Sequence, residues 1–84
     1  MIWVIREPTG WIGGAIDFYL VDDSGRIVMD HTGVHVWVEQ VHLSPSVDSI
    51  HYFREFVKVI GGAFPWTVDA YWVRKEKTGM KILT

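Results

Sequence analysis

The sequence predicts an α+β domain. We expect an antiparallel sheet of four to six strands in the order β-β-β-β-α-β, with a candidate short final strand. One amphipathic helix should pack on one face of that sheet. Three observations carry this expectation. Apolar residues alternate with period two in Ala15–Val21, Val34–Val41 and Thr67–Lys75. A single apolar arc at helical spacing lies between Ser44 and Gly61-Gly62. Short Gly- and Asp-rich turns join the strands, which favours antiparallel neighbours.

Each element has a local reason. Ile2–Arg6 reads as a short strand ended by Pro8-Thr9-Gly10. Gly10-Trp11-Ile12-Gly13-Gly14 reads as a glycine-flanked loop or a bent strand entry. Ala15–Val21 puts Ile16, Phe18 and Leu20 on one face and Asp17, Tyr19 and Val21 on the other. Asp22-Asp23-Ser24-Gly25 is a turn, after which Arg26–Asp30 pairs back as a hairpin. In Val34–Val41, Val34, Val36 and Val38 point inward and His35, Trp37 and Glu39 outward.

Ser44 is the expected helix N-cap, with Pro45 at the first helical position and Asp48 in the first turn. Ile50, Phe53, Phe56, Val57 and Ile60 form the buried arc, and Gly61-Gly62 is the expected stop. Thr67–Lys75 alternates Val68, Ala70 and Trp72 with Asp69, Tyr71 and Val73. Lys77-Thr78-Gly79 is an expected turn, and Met80–Leu83 a candidate edge strand.

Composition bounds the class. For a chain of 84 residues we expect a single compact domain, 1–84. A hydrophobic fraction of 49% with 21% charged residues argues against disorder. There is no cysteine, so disulfides, thiol catalysis and cysteine metal sites are excluded. Small secreted domains rely on such staples, and Met1–Ile5 is too short an apolar run for a signal peptide, so we expect a cytoplasmic protein. No stretch suits a membrane span, and we expect no membrane partner.

The net charge of −2 is unevenly spread. Residues 1–33 carry −3 (Arg6 and Arg26 against Glu7, Asp17, Asp22, Asp23 and Asp30). Residues 34–73 carry −2 (Arg54 and Lys58 against Glu39, Asp48, Glu55 and Asp69). Residues 74–84 carry +3 (Arg74, Lys75, Lys77 and Lys81 against Glu76). An acidic body does not suit broad phosphate contact.

A helix on the aliphatic face leaves the other face with Tyr19, Trp37 and Tyr71, edged by Asp17, Glu39 and Asp69, with His35 alongside. Trp and Tyr concentrate at binding hot spots. The same rings also serve as ordinary cross-strand pairs, stabilising a sheet by about 0.2–1 kcal/mol each. Trp11, between glycines, offers a loop anchor or a cap on the core. The glycines do not have phosphate-loop spacing.

His31, His35, His42 and His51 match no metal-ligand spacing. On a regular strand, the odd separation of His35 and His42 puts them on opposite faces. His35 and Glu39 stand about 13 Å apart along one strand, too far for a direct acid–base pair. Tyr52 and Val59 share the outer helix face.

The functional expectation is a non-enzymatic protein-binding module of inhibitor or accessory type. Many such proteins, including phage-encoded ones, have this size. It would dock its aromatic, carboxylate-edged face (Asp17, Tyr19, His35, Trp37, Glu39, Asp69 and Tyr71, with Trp11) on a basic protein surface or on a second copy. No cofactor or metal is expected. The alternative, from a different class, is a small nucleic-acid-binding protein or nuclease using Arg74, Lys75, Lys77 and Lys81.

Overall fold

A computed structural model describes residues 1–6, 12–43, 49–74 and 76–83. The elements are β1 (Ile2–Arg6), β2 (Ile12–Val21), β3 (His35–Leu43), α1 (Ser49–Ala63), β4 (Asp69–Arg74) and β5 (Lys77–Ile82). The five strands form one sheet in sequence order, β1-β2-β3-β4-β5. This is the expected α+β architecture, and no described helix is long and apolar enough to cross a membrane.

Four details differ from the sequence expectation. The order is β-β-β-α-β-β. The segment Arg26–Asp30 makes only an isolated bridge, Ile27 to Val21, rather than a strand. Asp22 diverts the local backbone: its Oδ1 accepts from the Ser24 and Arg26 amides at 2.9 and 3.0 Å. Side-chain bonds of this kind compete with a strand ladder.

Second, β3 and β4 run parallel, His35 to Asp69 through Val38 to Trp72, while the other neighbours are antiparallel. The helix crossover returns the chain in the direction it left. Third, the helix runs through Gly61 and Gly62 to Ala63. Neither glycine has a positive φ, and the Phe64 amide still bonds the Ile60 carbonyl at 2.9 Å. Fourth, the last reversal lies between Arg74 and Lys77, with Glu76 at φ 66°. Lys77-Thr78-Gly79 is strand, and Gly79 serves a packing role: a Cβ there would come within 2.3 Å of the Trp72 indole. The helix start, Ser44 to Asp48, lies outside the described residues.

The core sits between one sheet face and the helix. Ile16, Phe18 and Leu20 of β2, Val36 and Val38 of β3, and Ala70 of β4 meet Phe56, Val57 and Ile60. Val68, expected inward, is instead exposed. Trp3 joins this side, edge-on to Phe18 at 5.0 Å and stacked on Phe64 at 5.9 Å. Trp66 packs on Phe64 at 5.7 Å but stays partly open to solvent. Trp72 is half-buried against Phe53 at 4.9 Å.

One irregularity shapes β3. Phe18 faces Val38, yet its neighbour Asp17 faces Gln40, so Glu39 is an extra residue. Such a bulge resets the alternation. Before it, Val36 and Val38 point inward; after it, Val41 and Leu43 do. His42 therefore lies on the same side as His35, contrary to the regular-strand expectation, and its Nε2 meets Gln40 Oε1 at 3.4 Å.

Candidate functional site: the uncovered sheet face

The face opposite the helix is built by alternation, from the same strands that make the core. Register aligns its rings: Tyr19 faces Trp37, Trp37 faces Tyr71, and Tyr71 faces Met80. One continuous row thus crosses four strands. The next row is Val21, His35, Asp69 and Ile82. On the other flank Ile2 faces Asp17, which faces Gln40.

The carboxylates hold the rings. Glu39 Oε2 accepts from Trp37 Nε1 at 2.9 Å and from the Tyr19 hydroxyl at 3.2 Å. Asp69 Oδ2 accepts from the Tyr71 hydroxyl at 3.0 Å. Lost hydration, then the bond to Glu39, raise the Tyr19 pKa. The bond to Asp69 raises that of Tyr71. Both phenols stay protonated and donating at neutral pH.

His35 sits between two carboxylates. Its Nδ1 is 2.6 Å from Asp69 Oδ1, and its Nε2 is 2.8 Å from Asp23 Oδ1. A neutral imidazole can donate from only one nitrogen, so satisfying both acceptors requires the imidazolium. The bonds to Asp69 and then Asp23 raise its pKa accordingly. Asp69 is 8% exposed, so the ion pair on this side is largely shielded. With both nitrogens occupied, His35 is a clamp between β3, β4 and the 22–33 loop rather than a free base.

The predicted residues distribute as follows. Tyr19, Trp37, Tyr71, Glu39, Asp69 and His35 share the uncovered face. Asp17 joins them, 3.4 Å from the Met1 amino group. Trp11 lies outside the described residues. Of the basic set, Arg74 and Lys77 face each other across the last hairpin. Lys81 faces Ala70, whose side chain is in the core, and so lies on the helix side. Lys75 lies outside the described residues.

Sequence reasoning missed much of the apolar surround. Ile2, Val4, Met80 and Ile82 are all exposed, and their pairing puts them on this face, beside Val73, which the alternation of its strand already placed there. Period-two alternation in Thr78-Gly79-Met80-Lys81-Ile82 carried that signal. Asp23 was also missed, because nothing in a turn sequence says where its side chain reaches. Among the described residues, no group of three or more His, Asp or Glu side chains could hold a metal ion. Comparisons with protein-family models, curated proteins and solved structures found no match to this chain.

Proposed function

We propose that this chain is a non-enzymatic protein-binding module, acting in the cytoplasm, that docks its uncovered sheet face on a partner with a basic surface. The observation that carries this reading is the registered row Tyr19–Trp37–Tyr71–Met80, flanked by exposed Ile2, Val4, Val73 and Ile82. A contiguous apolar patch on a small monomer marks an interaction surface. Rigid rings, held by Glu39 and Asp69, lose little entropy on docking.

Charge favours a basic partner over a second copy. Asp17 and Asp69 already have cationic neighbours in the Met1 amino group and His35. Glu39 has only the neutral donors of Tyr19 and Trp37 among the described residues. An arginine or lysine of the partner would pair with Glu39 and lie against Trp37. Two copies face to face would instead oppose two acidic centres. The same acidity disfavours phosphate.

The test is affinity capture from the source cell with the parent chain and with Trp37→Ala/Tyr71→Ala. We expect the parent to retain a partner whose contact surface is basic, and the double variant, still folded by circular dichroism, to lose it by about 100-fold or more in affinity. Equal retention by both chains would make the face structural only.

A further inference from the structure

A second surface lies where β3 and β4 part. Their pairing ends at Val38 and Trp72, although β3 continues to Leu43 and β4 to Arg74. The bulge at Glu39 falls at that point. The opening is a cleft of about 660 Å³ between the diverging strands and the helix. Small-molecule sites commonly occupy about 300–1,000 Å³.

The cleft has an apolar floor and a cationic rim. Phe53 and Trp72 meet edge to face at 4.9 Å on the floor, beside Val57 and Leu43. Gly79 leaves the space that the Trp72 indole fills, since any Cβ there would overlap it. Arg54, Arg74 and Lys81 line the same cleft, are exposed, and make no ion pair or hydrogen bond within the described residues. The chain has only eight lysines and arginines and a net charge of −2, so three free cations around one cleft are a concentration. Among the described residues the lining has one carboxylate, Glu39, whose Oε2 accepts from Tyr19 and Trp37, and the three cations outnumber its charge.

We propose that this cleft binds an apolar carboxylate, its hydrocarbon body on Phe53 and Trp72 and its carboxylate between Arg54 and Arg74. Guanidinium groups match a carboxylate in two-point geometry. The floor excludes a fully polar anion, and the rim excludes an apolar cation. This site borders the docking face at Glu39, Val73 and Met80. Its proposed ligand contacts, Phe53, Trp72, Arg54 and Arg74, are not in the docking row, so different variants test the two sites.

The probe is decanoate, followed by tryptophan fluorescence and calorimetry below its micelle concentration. Matched chains with a quaternary ammonium head and with an alcohol head are the controls. We expect saturable decanoate binding, with the ammonium compound at least about tenfold weaker. Arg54→Gln/Arg74→Gln should weaken decanoate by about tenfold or more with an unchanged thermal midpoint, and Lys81→Gln by a smaller factor. Absence of saturable binding, equal binding of the ammonium chain, or unchanged affinity in the folded double variant would each overturn the proposal.

Discussion

The two faces of the sheet are written by the same residues, read alternately, yet they behave oppositely. On the helix side, Ile16, Phe18 and Leu20 are fully buried. On the other side, Asp17, Tyr19 and Val21 keep contact with water. The covered face is held by close packing, where each lost methylene group is felt. The uncovered face is held by hydrogen bonds from ring edges to carboxylates, each worth about 0.5–1.5 kcal/mol net. One face therefore sets whether the chain folds, and the other is free to specify what it meets.

The largest test breaks that contrast directly. Phe18→Ala should cost about 3–5 kcal/mol, a large share of the roughly 4–12 kcal/mol available to a chain of this size. Trp37→Ala, one residue across on the opposite face, should cost about 1 kcal/mol or less. Urea midpoints of the two variants measure the difference. Similar losses would mean that the uncovered face is part of the stability core.

A smaller effect lies at His35, the point where the uncovered face joins the loop. His35→Gln removes a donor from a shielded carboxylate and should cost about 1–3 kcal/mol at acidic pH. The folded-state pKa of His35 is raised above its ordinary value of 6.5 by Asp69 and Asp23. Its contribution is therefore complete below the ordinary value and is lost as pH rises through the raised one. Urea midpoints at about pH 6 and about pH 9 should show the parent losing stability relative to His35→Gln. Parallel pH profiles for the two chains would exclude this linkage.

The smallest prediction sharpens the covered side. Gly62 is helical, and a Cβ there would meet nothing within 4 Å. Gly62→Ala should raise stability by about 0.5–1 kcal/mol in thermal melts, since alanine loses less backbone freedom on folding. A loss would show that the helix end needs glycine after all.

The aromatic row was legible because period two needs only one strand at a time: Tyr19, Trp37 and Tyr71 each fall opposite an aliphatic neighbour. The helix arc Phe53, Phe56, Val57 and Ile60 was legible for the same local reason. The misread elements depend on distant partners. Gly61-Gly62 has stop-signal composition, but the helix is carried through by packing, with Leu83 against Gly61. Gly79 looks like a turn residue until Trp72 is laid over it. Trp3 could be placed only once its strand register against β2 was known. The clamp from Asp23 to His35 spans a loop whose path no periodicity encodes, and the cleft at Arg54, Arg74 and Lys81 joins three elements that are separate in the chain.

The extra residue at Glu39 lets one short stretch of β3 absorb a change of length. A substitution at Glu39 or Gln40 alters a single side chain. Loss of either residue would leave one residue opposite Asp17 and restore plain alternation, with Val38, Val41 and Leu43 still inward and His42 still outward. A one-codon deletion there should thus be tolerated better than one between His35 and Val38, which would turn buried valines to water. Relatives of this chain should differ in the count between Val38 and Val41 more readily than in the count between His35 and Val38.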